Sequence, residues 1–162
     1  SGSKVHALTL LIGCLYTLNM STKLTAYEKQ EIFGSFDPDV HNEEVKSRWE
    51  NTDAYKQSAK KTANYTKEDF AQMNLESDFI VQTFKNLMEK QTSPESSDAK
   101  EAAEAHRQHI TKWFYDCTYE IHANLAQMYL MDERFKENYE KHAQGLAQFI
   151  HDAIIANSMD NV

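Results

Sequence analysis

From His106 to Tyr129 the chain reads HRQHITKWFYDCTYEIHANLAQMY, with neither glycine nor proline. An uninterrupted run of that kind favours helix. At spacings of three and four it carries two stripes, one of Ala102, His106, His109, Ile110, Trp113 and Cys117, the other of Tyr115, Tyr119, His122, Ala126 and Tyr129. A purely structural helix would fill an inward stripe with Leu, Ile and Val. These stripes use rings with an apolar body and a polar tip, the usual lining of a small-molecule cleft. The structural alternative is a core in which the rings find partners. Chain breakers are scarce throughout, with four Gly and two Pro in 162 residues and no strings of β-branched residues, so the fold class expected is all-α. The length suits one domain with a real core.

The net charge of −8 opposes a phosphate-binding face, so direct nucleic-acid binding by this chain is not expected. Cys14 and Cys117 fit neither a disulfide framework nor a C-x-x-C metal site. The apolar run from Ala7 to Leu18 lacks the basic segment and cleavage site of a signal peptide, and is too short to span a bilayer. A cytoplasmic protein without a membrane partner is expected. Ser1-Gly2-Ser3 reads as a cloning scar.

Taken in order, residues 5–20 form an apolar helix that must pack on the domain or pair with another copy; Val5, Leu8, Ile12 and Leu15 are spaced as a short coiled-coil seam that Gly13 weakens. Short helices are expected from Thr25 to Phe33, ended by Gly34, and from Asp37-Pro38-Asp39 to Trp49. Asn51-Thr52-Asp53 caps a third, Ala54 to Lys61. Short, charged helices are marginal alone, so this third of the chain should be its least stable part. Thr66 and Asp69 cap a long helix to about Lys90, with Phe70, Met73, Ile80, Phe84, Leu87 and Met88 facing inward. Thr92 to Ser97 is a flexible loop. The helix from Asp98 leads into the aromatic stretch and breaks near Asp116. A short segment follows Asp132. A last helix follows Gly145, with Leu146, Phe149, Ile150, Ala153 and Ile154 inward.

His106 and His109 with His122 could begin a metal site, but the H-E-x-x-H spacing and the Glu-x-x-His pattern of di-iron bundles are absent, so no metal is expected. No single proximal His stands out for haem, and no Gly-rich turn accompanies Cys117 as an oxyanion hole. The acidic residues sit at caps or on solvated faces. The site has shape and hydrogen-bonding capacity without reaction machinery, so neither a cofactor nor an enzyme is expected.

Several blocks occur here in the order they take in a known family. EIFGSFDPD (Glu31 to Asp39), RWENTDAYKQS (Arg48 to Ser58), YTKEDF (Tyr65 to Phe70), HRQHITKWFYDCTYEIH (His106 to His122), DERF (Asp132 to Phe135) and DAIIAN (Asp152 to Asn157) resemble the TipA-type antibiotic-recognition domain. This is the effector-binding half of MerR-family multidrug-sensing transcription activators. The resemblance implies a globin-like helical ligand-binding domain without haem, which takes thiopeptides or other bulky antibiotics in a cleft. It implies residues 1–24 as scar and tail of a linker or dimerisation helix, through which a homodimer could form. Residues 25–162 would then be the antibiotic-binding domain, with 25–65 as lid and 66–158 as core. Ordering such a lid would take roughly 2–5 kcal/mol of the binding energy. From these blocks and from helical spacing, His106, His109, Trp113, Tyr119, His122 and Asn124 are expected in the cleft, with Trp49, Tyr55 and Tyr65 as lid anchors.

Two departures matter. DNA binding would belong to a winged-helix part that this sequence does not include. The alternative to an activator is a stand-alone protein that confers resistance by sequestering the drug. In the family, the thiol that captures a thiopeptide's dehydroalanine lies seven residues after the Cys matching Cys117; that position is Asn124 here. An amide cannot add to an activated alkene as a thiolate does. Reversible binding is expected, Cys117 being the substitute for covalent capture.

Overall fold

A computed structural model of the chain describes residues 51–162, together with Tyr27. The expectations for residues 5–20, for the two short helices before Trp49 and for Trp49 itself lie outside the described residues. Six helices and no strand are found among the described residues: α1 Asp53–Thr62, α2 Lys67–Glu89, α3 Ser97–Trp113, α4 Tyr119–Met131, α5 Glu133–Glu140 and α6 Leu146–Asp160. None of them is long and apolar enough to cross a membrane. Contacts divide the chain into two units. The described part of the first is Tyr27 and residues 51–78 with Ile110–Asp116; the second is Phe79–His109 with Cys117–Val162.

The helix boundaries follow local chemistry. Thr52 caps α1, its side chain accepting from the Tyr55 N–H. Thr66 and Asp69 cap α2 reciprocally: the Thr66 N–H donates to Asp69 Oδ2 at 2.9 Å, and the Asp69 N–H to Thr66 Oγ1 at 3.2 Å. The break expected near Asp116 falls between Trp113 and Tyr119, where Thr118 caps α4 by accepting from the Ile121 N–H. Gly145 precedes α6 with φ 90°, a left-handed conformation that glycine adopts without cost. No side chain at that position can cap α6. Glu140 does so instead, its carboxylate accepting from the Gly145 and Ala147 N–H groups, both at 3.0 Å.

In the second unit, α6 packs on α4, and α5 on both. The stripe expected of α6 is its buried face: Leu146, Phe149, Ile150, Ala153 and Ile154 are all buried. Phe84 is fully buried and meets Phe149 edge-on at 6.4 Å. Of the inward residues expected in α2, Phe70, Met73, Ile80 and Phe84 are buried, and Leu87 and Met88 half-buried.

Candidate functional site

The aromatic stretch divides between the two units. In the first, the ring of Tyr65 meets Trp113 edge-on at 5.6 Å and Phe70 at 5.6 Å. Its hydroxyl donates to the Trp113 carbonyl at 2.5 Å. Glu76 accepts from the Trp113 indole N–H at 3.0 Å and from Lys112 Nζ at 2.9 Å, and that ammonium also lies 4.9 Å from the Trp113 ring centre. Burial raises the Glu76 carboxyl, but the hydrogen bonds from Lys112, Trp113 and Gln72 outweigh it and hold the group below its ordinary value. Helix α1 is tied to the same segment through long polar side chains. Lys61 Nζ donates to the Thr111 and Lys112 carbonyls at 2.6 and 3.2 Å, which satisfies groups that the end of α3 leaves open. Gln57 Oε1 accepts from the Asp116 N–H at 2.9 Å.

In the second unit, His106 and His122 close on each other. Their rings stack at 5.1 Å, with His106 Nδ1 2.8 Å from His122 Nε2. At this distance one ring donates and the other accepts, so the two cannot both be protonated. Burial, reinforced by the neighbouring charges of His122 and His109, pushes the pKa of His106 well below its ordinary value. Burial and the Arg107 guanidinium lower that of His122 to about 3. The other nitrogen of His122, Nδ1, is buried without a hydrogen-bond partner. Tyr129 meets His106 edge-on at 6.1 Å and Tyr139 at 5.3 Å, which extends the ring cluster from α3 through α4 to α5.

Beside this cluster Arg107 organises a polar network. It donates through Nε and a terminal nitrogen to both Glu104 oxygens, at 3.0 and 2.5 Å, and through the other terminal nitrogen to the Cys117 carbonyl at 2.7 Å. The guanidinium carbon lies 4.1 Å from the centre of the Tyr119 ring. The Arg107 hydrogen bonds hold the Glu104 carboxyl at about 2 against the effect of burial, helped by Gln108 and Asn157. Asn157 donates to Glu104 at 3.0 Å, and the Ser158 hydroxyl to the Tyr119 carbonyl at 3.1 Å, so α6 joins the network.

The residues expected at the site are thus distributed as follows. Tyr65 and Trp113 meet in the first unit, where Tyr55 is half-buried. His106 and His122 pair in the second, with His109 also buried and Tyr119 half-buried against Arg107. Asn124 is exposed on α4. Cys117 is fully buried. Arg107, Glu104, Asn157 and Glu76 were not anticipated. The only hint in the chain is the three-residue spacing of Glu104 and Arg107, which many solvated ion pairs share. No cluster of three or more His, Cys, Asp or Glu able to hold a metal occurs among the described residues.

Residues 41–157 match the family described as the TipAS antibiotic-recognition domain. The chain is 48% identical over 141 residues to the HTH-type transcriptional activator TipA of Streptomyces coelicolor and to that of Streptomyces lividans, an alignment covering 87% of this chain and 56% of each relative. It is 32% identical over 99 residues to the HTH-type transcriptional activator mta of Bacillus subtilis, covering 61% of this chain and 38% of that one. The chain therefore spans about half the length of the TipA activators it matches. Among solved structures it resembles TipAS in complex with nosiheptide, from a thiopeptide antibiotic multidrug resistance system of Streptomyces lividans. The TM-score is 0.80 at 48% identity, over 86% of this chain and 97% of that one. The globin-like helical fold expected from the sequence is the fold of that domain. The chain belongs to the TipAS antibiotic-recognition domain family.

Proposed function

We propose that this chain is the effector-binding domain of a MerR-family transcription activator, and that it binds a thiopeptide or similarly bulky antibiotic reversibly in a helical cleft. The observation that carries the reading is the likeness, at 48% identity and TM-score 0.80, to a domain solved with nosiheptide bound. Residues 25–65 act as a lid over the ligand, and Tyr65 is its last anchor, held by its ring contacts and its bond to the Trp113 carbonyl. Asn124, exposed on α4, meets the antibiotic where the family's thiol would stand. Its amide offers hydrogen bonds and no nucleophile. The Cys117 thiol is fully buried and so does not substitute for it. Binding is the whole task, with no catalytic step. The full protein works in the cytoplasm, where closure of the lid biases a two-state element joined through the N-terminal helix to a dimer and a DNA-binding part.

Thermal melting with nosiheptide, for the chain and for Asn124→Cys, tests this reading. The expected result is a rise in melting temperature for both proteins, with a permanent gain in mass only for the cysteine variant. No rise in either protein would reject thiopeptides as the ligand.

A further inference from the structure

Within the second unit, a groove of about 350 Å³ runs between the C-terminal half of α2 and the N-terminal half of α3. That volume is within the range of sites for small organic ligands. Ile80, Leu87 and Ala102 form its apolar wall, and none of its lining residues belongs to the set assigned above to the antibiotic. Two features of the groove bear on what it can hold. Phe79 lines it with 74% of its surface exposed, and makes no ring contact with any other described aromatic residue. A phenyl ring left in water on the rim of an apolar groove is a surface that a flat ligand can cover. Asp98 and Glu101 line the same groove, and neither carboxylate makes a hydrogen bond or ion pair with a described residue. Asp98, in the first turn of α3, also complements that helix end; Glu101 lies one turn further on. The one other polar lining group, the Thr83 hydroxyl, is spent on the Phe79 carbonyl at 2.9 Å.

From this combination we infer that the α2–α3 groove is a second ligand site, which takes a small flat aromatic monocation. The aromatic body covers Phe79 and the Ile80–Leu87–Ala102 wall, and the cationic nitrogen faces Asp98 and Glu101. Charge complementarity favours a cation over the other classes. An anion would meet two uncompensated carboxylates in a chain of net charge −8, and a neutral ring would leave them without a partner. The inference is independent of thiopeptide binding, since it concerns other residues and a ligand of different charge.

The test is calorimetric titration at pH 8 and low salt with 9-aminoacridine, a flat monocation, and with acridine, its uncharged ring system at that pH. The expected result is one site per chain, with acridine at least tenfold weaker. Asp98→Asn with Glu101→Gln weakens 9-aminoacridine at least tenfold and leaves acridine unchanged. Phe79→Ala weakens both compounds, and Ala105→Trp, which fills the groove from an exposed lining position, abolishes both. All four substituted positions are exposed, and melting curves check that each variant is folded. Absence of 9-aminoacridine binding to the unaltered chain, or an affinity within threefold of it in either the double carboxamide or the Ala105→Trp variant, would overturn the assignment.

Discussion

Helix α6 buries nine of its fifteen residues, six of them the apolar side chains from Leu146 to Ile154, whereas α1 buries only Ser58 and Thr62 of its ten. Each helix is held in its own unit by different means. The second unit holds α6 by area removed from water, at roughly 25 cal/mol per Å². The first holds α1 by single polar bonds, from Lys61 to the last carbonyls of α3 and from the Asp116 N–H to Gln57. Such bonds each contribute about 1 kcal/mol net and are readily exchanged for water. The comparison teaches where motion is affordable: α1 belongs to the low-stability end of the molecule and α6 to its global unfolding unit.

The sharpest way to break this comparison is a cavity in the second unit. Phe84→Ala should destabilise the chain by about 3–5 kcal/mol in urea unfolding, because the fully buried ring is lost from its edge contact with Phe149. A loss under 1 kcal/mol would mean that the unit is not close-packed.

A pH series comes next. His106 and His122 are neutral when folded, the first well below and the second at about 3 against an ordinary 6.5, so the unfolded chain takes up protons first as pH falls. Stability is therefore intact above pH 6.5 and declines below it, by up to about 1.4 kcal/mol per pH unit for each histidine. Glu104 has the opposite window. Its carboxyl is lowered from 4.5 to about 2, so its contribution is present above 4.5 and lost only as pH falls towards 2. Between pH 6.5 and 4.5 the slope belongs to His106, His122 and the half-buried His142, which burial also lowers, and His122→Asn should reduce it. An unchanged slope in that variant would place the titration elsewhere.

Smaller effects are expected in the first unit, and they should stay local. Tyr65→Phe deletes the bond to the Trp113 carbonyl and keeps both ring contacts; about 1 kcal/mol is expected. Amide exchange in α1 should quicken while α6 is unaffected. Thr52→Ala removes the exposed cap of α1, for about 0.5–1 kcal/mol. If either change accelerates exchange in α6 equally, the two helices belong to one cooperative unit and the comparison fails.

Much of the helical order can be read directly from the chain, because its signals are local. Thr52, Thr66 with Asp69, Thr118 and Gly145 each stand at a boundary for a reason confined to a few residues. The buried face of α6 follows from spacing alone. The long-range pairs were not legible. Spacing places His106, His109 and Trp113 on one stripe, but the chain is divided between them: Trp113 bonds Glu76, 37 positions away, while His106 finds His122 across the turn. Periodicity says which residues share a face and nothing about what that face meets. The role proposed for Asn124 rests on the family's motif, since an exposed Asn on a helix has no signal of its own.

The most direct test of reversible recognition is mass spectrometry of the chain with nosiheptide, under native conditions and again after denaturation. The account predicts a one-to-one complex in the native spectrum that returns to the bare chain mass when the protein is unfolded. A ligand mass that survives unfolding, or no native complex at all, would contradict it.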